Sequence, residues 1–156
     1  MVAVRRIDLI DAPPPRICHT LHLPVGDVIT YTNKAPYKQD EPNEDCLAVI
    51  EIDEENFLLV VADGVGGSPA GAYASGMVVD ALVSGFTQET SPAAVPSMVI
   101  AAIEKADLDI KAKGMGSAST VAIAHVSAQA FRAIHVGDSV AMVCGGRGKL
   151  KFETIS

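Results

Sequence analysis

Nine acidic residues and no Lys or Arg lie between Asp40 and Asp63: Asp40, Glu41, Glu44, Asp45, Glu51, Asp53, Glu54, Glu55 and Asp63. Glu44 and Asp45 stand at the start of one apolar run, Cys46 to Ile52, and Asp63 ends a second, Phe57 to Ala62. If the two runs pair as an antiparallel hairpin, strand direction alone brings these three carboxylates to one end of the sheet. Carboxylates gathered there repel unless a cation neutralises them, and an oxygen-only donor set suits magnesium, manganese or calcium. The turn Asp63-Gly64-Val65-Gly66-Gly67 lets backbone carbonyls and amides approach an ion or a phosphate; it is equally a tight strand-to-helix connection.

The other candidates are less specific. Asp53, Glu54 and Glu55 fall at the expected hairpin tip and read as a solvated charge cluster. Asp138, in His135-Val136-Gly137-Asp138-Ser139, either joins the carboxylates or caps a turn. His125 and His135 lie inside predicted strands, where a packed, hydrogen-bonded imidazole is the ordinary outcome, and His19 and His22 are expected at the surface. Ser68, Ser117, Ser119 and Ser139 are not in a G-x-S-x-G elbow, no cysteine lies in a thiolate motif, and the Gly-Lys-Ser/Thr phosphate loop is missing.

Positioning these groups requires a sheet and a helical layer. Val28 to Thr32 is expected as a first strand, and Cys46–Ile52 and Phe57–Ala62 as a hairpin around the polar turn 53–56. The second run has no polar alternation, which predicts a central strand buried on both faces. Ala70, Ala74, Met77, Val78, Ala81 and Leu82 recur at helical spacing up to Gly85. Ser91 before Pro92 predicts the cap of a second helix, with Val95, Met98, Val99, Ala102, Ile103, Ala106 and Ile110 in its stripe and Gly114 and Gly116 at its end. Strands are expected at Ser119–Val126, Phe131–Val136, Val140–Cys144 and Lys149–Thr154. Strands, two helices, then strands argue for an α+β fold with antiparallel sheet and helices on one face. Residues 1–27, with Pro13, Pro14 and Pro15 fixing a stiff extended segment, read as an N-terminal arm, and residues 28–156 as the domain.

The length of 156 residues fits a single core, and 49% hydrophobic residues supply it. Twelve Lys+Arg against 19 Asp+Glu give a net charge of -7, which disfavours a nucleic-acid partner. Cys18, Cys46 and Cys144 have no paired spacing, so a reducing cytoplasm is expected rather than a disulfide framework. No apolar run is long enough for a membrane span.

Four ordered motifs resemble those of the metal-dependent PPM (type 2C) protein phosphatases: Asn43-Glu44-Asp45; Val61-Ala62-Asp63-Gly64-Val65-Gly66-Gly67 with Ala74-Ser75; Gly116 to Thr120; and Val136-Gly137-Asp138-Ser139. The resemblance runs from about Asn43 to the end of the chain. It implies an α-β-β-α sandwich with two antiparallel sheets, and a signalling enzyme that hydrolyses phosphoserine and phosphothreonine in proteins. Carried over, Asp63 bridges two Mg2+ or Mn2+ ions, Gly64 offers its carbonyl, Glu44 and Asp45 hold metal-bound waters, and Asp138 helps to bind a third metal. The implied chemistry is in-line attack by a metal-activated water, with no phosphoenzyme and no catalytic side-chain nucleophile.

This sequence departs from that pattern in three ways. Asp40 stands where family members commonly carry a phosphate-gripping arginine, leaving Lys38 as the nearest cation for substrate phosphate, a point charge without the guanidinium fork. Val140 replaces the arginine after Gly-Asp-Ser. The later Asp-Gly and Asp-Asn motifs do not follow before Ser156, so a C-terminally incomplete domain is expected, with weak metal binding, feeble or no hydrolysis alone, and exposed sheet edges that favour self-association or pairing. The alternative is a non-catalytic, pseudophosphatase-like interaction domain.

Overall fold

The acidic turn at 53–55 reverses the chain between β4 (Asp45–Glu51) and β5 (Asn56–Val65), and the two apolar runs pair antiparallel from Asp45↔Asp63 to Glu51↔Phe57. The computed structural model describes residues 3–7, 17–34, 36–38, 40–86 and 90–155. On the far side of β5 lie β6 (Ala118–Ser119) and β7 (Val121–Ser127), followed by β8 (Phe131–Val136). With β1 (Ala3–Ile7) on the outer edge of β4, the sheet runs β1-β4-β5-β7-β8, antiparallel throughout, with β6 paired to β5 at Gly64 and Val65.

Alternation divides the sheet into two unlike faces. Cys46, Ala48, Ile50, Leu58, Val60, Ala62, Val121 and Ile123 form one buried face. Against it pack α1 (Ser68–Gly85), through Ala74, Val78, Val79 and Leu82, and α2 (Val95–Lys113), through Val95, Val99, Ala102, Ala106 and Ile110. Each large side chain so enclosed contributes about 1.5–3 kcal/mol relative to leaving it in water. The fold is thus α+β with the helices on one face, as the element order implies.

The second face is covered unevenly. Leu47, Val49 and Phe57 are buried, but Val61 is 49% exposed. The expectation that Phe57–Ala62 is enclosed on both sides therefore holds at Phe57, only in part at the half-buried Leu59, and fails at Val61, because the covering layer here is two separate ribbons. The hairpin of β2 (Ile17–Leu23) and β3 (Gly26–Thr32) brings Val28 and Thr30 to a cavity shared with Leu47, Val49 and Leu59. The ribbon of β9 (Met142–Cys144) and β10 (Leu150–Glu153) sets Phe152 edge-on to Phe131 of β8, with ring centroids 5.7 Å apart.

Three local expectations are revised. The segment read as an arm contributes β1 to the main sheet and β2 to the first ribbon; the triple proline at 13–15 lies outside the described residues. Ser91 makes no side-chain cap: Pro92–Ala94 form a 3-10 turn, and α2 begins at Val95 with Pro96 in its first turn. The strand expected at 119–126 is broken at Thr120, which separates β6 from β7.

Candidate metal centre

Asp45 and Asp63 are direct cross-strand partners, so strand pairing itself sets the two carboxylates on the same, helix-free face at one end of the sheet. The Gly64 amide donates to the Glu44 carbonyl at 3.0 Å, joining Glu44 to the same end. Close packing explains the glycines there. A Cβ on Gly64 would lie 2.0 Å from the carbonyl oxygen of Gly71 in the first turn of α1, and one on Gly71 would lie 2.8 Å from Glu44 Oε1. Strand, helix and acid approach this closely because neither position carries a side chain.

The other side of Asp63 is fixed by β6 and its neighbours. Its carbonyl accepts from the Thr120 amide at 2.9 Å and from the Ser119 hydroxyl at 3.1 Å. The hydroxyls of Thr120 and Ser139 are 2.5 Å apart, tying the turn that carries Asp138 to this junction. Gly137 makes that turn with φ 88°, and a Cβ there would meet the Thr120 side chain at 2.9 Å.

Crowded negative charge marks this end of the sheet. The Asp63 carboxyl is held above the ordinary carboxylate range by desolvation first, then by the charges of Asp45, Asp138 and Glu44. Although Asp63 is an exposed residue overall, the surrounding chain removes enough water for its neighbours' charge to be felt. Asp45 Oδ2 accepts from the Thr32 hydroxyl at 3.1 Å, and Glu44 Oε2 accepts from Lys38 Nζ at 2.5 Å. That partnership, led by the hydrogen bond to Glu44, raises the Lys38 ammonium above its ordinary value. A cavity of about 260 Å3 opens here, lined by Lys34, Tyr37, Lys38, Glu44, Asp45 and Asp63 among others.

Residues 34–152 match the family model for protein phosphatase 2C. The chain belongs to that family. The match takes in Lys38, Glu44, Asp45, Asp63, Gly64 and Asp138. Among solved structures, the serine-threonine phosphatase 2C of Toxoplasma gondii is similar, with 16% identity and a TM-score of 0.49 over 96% of this chain and 52% of that one. The chain spans about half the length of that phosphatase. Comparison with curated proteins finds no match.

Phosphatases of this family are generally Mg2+- or Mn2+-dependent, and the donors present suit such ions in kind: carboxylates and a backbone carbonyl, with crowded negative charge of which Lys38 pairs with one acid, Glu44. They are not a finished chelate. Among the described residues no three His, Cys, Asp or Glu side chains converge as a metal-ligand group. Lys38 holds one Glu44 oxygen, so a cation approaching that oxygen competes with the ammonium.

Two supports were not assigned a task by sequence reasoning. Asn43, 6% exposed, donates through Nδ2 to the Thr32 hydroxyl at 2.9 Å and accepts the Asp45 amide on Oδ1 at 3.2 Å. Thr32, at the end of β3, in turn holds Asp45. The signal for Asn43 is its short polar side chain just before a strand, where Asx turns form; Thr32 gives none, because its partner is remote in sequence.

His125 is buried and hydrogen-bonded, as expected for a strand imidazole. His135 Nδ1 is buried without a hydrogen-bond partner. His22 is exposed and 2.7 Å from Asp27 Oδ1, while the His19 side chain lies outside the described residues.

Proposed function

We propose that this chain is the carboxylate-bearing part of a metal-dependent serine/threonine protein phosphatase that hydrolyses phosphomonoesters on phosphoproteins in cytoplasmic signalling. The observation that carries the reading is the Asp45–Asp63 pair, opposed across two strands with Glu44 and Asp138 adding like charge. Mg2+ or Mn2+, two or three ions in a complete domain, would supply an activated water and neutralise the phosphoryl oxygens. Asp63 and the Gly64 carbonyl would hold the ions directly, Glu44 and Asp45 would orient water, and Asp138 would serve a third ion. Lys38 would leave Glu44 as a cation arrives and turn its ammonium to the substrate phosphate. No described helix is long and apolar enough to cross a membrane.

The test is Mn2+-dependent release of phosphate from a phosphothreonine peptide, with metal-dependent thermal stability measured beside it. Slow release that requires Mn2+ and disappears in Asp63→Asn supports the enzyme. A stability gain with Mn2+ but no release supports the second reading, an interaction domain that retains a metal, which the Lys38–Glu44 pair favours by occupying one of the acids. Equal behaviour of parent and variant in both assays refutes the metal-centred account.

A further inference from the structure

At the end of the sheet opposite Asp63, the start of β5, the end of β7 and the start of β8 meet the first turns of the α2 region around a cavity of about 400 Å3. Asn56 and Asp63 are seven residues apart on β5, roughly 23 Å at about 3.3 Å per residue, so this cavity is remote from the metal centre. Its volume falls within the roughly 300–1,000 Å3 common for small-molecule pockets.

A directed hydrogen-bond chain runs along one wall. Arg132 NH1 lies 3.3 Å from His125 Nδ1, and a guanidinium can only donate, so Nδ1 accepts and the imidazole is neutral with its proton on Nε2. Nε2 then donates to Asn56 Oδ1 at 3.3 Å, and Asn56 Nδ2 donates to Asp53 at 2.8 and 3.0 Å. His125, only 8% exposed, thereby holds Arg132 at the cavity rim. Arg132 has no carboxylate partner among the described residues, so most of its five N–H donors remain for a ligand. The opposite wall is Pro92, Ala93 and Pro96, which present hydrocarbon.

We propose that this cavity binds a small organic monocarboxylate, its oxygens paired with the Arg132 guanidinium and its apolar body against Pro92, Ala93 and Pro96. A fork of N–H donors matches a carboxylate in two parallel bonds. Charge selects a monoanion over a phosphate dianion, because one guanidinium supplies the positive charge and Asp53 stands close behind His125.

The experiment titrates butyrate, inorganic phosphate and butylamine into the full chain and follows amide and Arg132 side-chain shifts by NMR. Butyrate is expected to saturate with shifts confined to Ala93, Ala130, Arg132 and their neighbours, while phosphate binds at least tenfold more weakly and butylamine not at all. Arg132→Gln should weaken butyrate at least tenfold, Arg132→Lys less, and Asp63→Asn less than twofold. Pro96→Asp places an acid where a helix start favours one, so it is expected to fold and to weaken butyrate at least tenfold. Saturable butyrate binding lost in either Arg132→Gln or Pro96→Asp, whichever is folded, upholds the proposal. Butyrate shifts that fail to saturate, binding unchanged in the folded variants, or tighter binding of phosphate would overturn it.

Discussion

Replacing Asp63 by Asn should stabilise the metal-free protein and destabilise it relative to the parent once Mn2+ is added. Without metal, the variant removes a charge directly opposite Asp45 and within the field of Asp138 and Glu44. Like charges in such cross-strand positions cost about 0.2–1 kcal/mol, and the exposure of Asp63 to solvent keeps the gain toward the low end. At roughly 2–4 °C per kcal/mol for a domain of this size, the rise in Tm is less than about 4 °C. With Mn2+ at about 100 times its Kd, the parent gains about 2.7 kcal/mol by mass action, or roughly 5–11 °C, and the variant should gain little of it. Differential scanning calorimetry with chelator and with millimolar Mn2+ reads both effects, and the Tm order of the two proteins should reverse between them. A variant that melts several degrees below the parent in chelator would show that Asp63 is a structural carboxylate. One that keeps the full Mn2+ shift would show that the ion binds elsewhere.

Further expectations follow from the same contacts. The raised Asp63 carboxyl favours the protonated folded state, so its stability contribution is present below the unfolded value near 3.8 and is lost as pH rises through the folded value; Tm against pH, parent minus Asp63→Asn, should fall across that interval in chelator. The neutral His125, lowered from 6.5 by burial and then by Arg132, acts in the opposite sense: stability is intact above 6.5 and falls with pH through the folded value, a slope that urea midpoints should show is missing in His125→Gln. Gly64→Ala forces a methyl to within 2.0 Å of the Gly71 carbonyl and should cost about 3 kcal/mol or prevent folding, read by urea denaturation. Lys38→Ala removes the ammonium that competes for Glu44, so the Mn2+ concentration for half-maximal stabilisation should drop while KM for a phosphopeptide rises.

The elements around the site were legible wherever an apolar period met Gly or Pro punctuation. β5, α1, α2 and β8 each lie within a few residues of their expected positions because their patterns are local. β1 and β2 carry Arg5, Arg6, His19 and His22 through their lengths, which hides a strand whose partner is distant in sequence. Asp45, Asp63 and Glu44 could be brought together from strand direction alone. What sequence could not supply were contacts set by packing between elements: Gly71 against Gly64, Thr32 on Asp45, and Lys38 on Glu44. Val61 shows the complementary limit, since an unbroken apolar run specifies residues suited to burial but not whether a second layer covers them.

The most direct measurement is anomalous diffraction from crystals grown with Mn2+. The account predicts a manganese peak between β4 and β5 with an Asp63 carboxylate oxygen in its coordination shell, roughly 2.0–2.6 Å away, and Lys38 Nζ withdrawn from Glu44. Manganese at the hairpin tip of Asp53, Glu54 and Glu55, with none at Asp63, would contradict it.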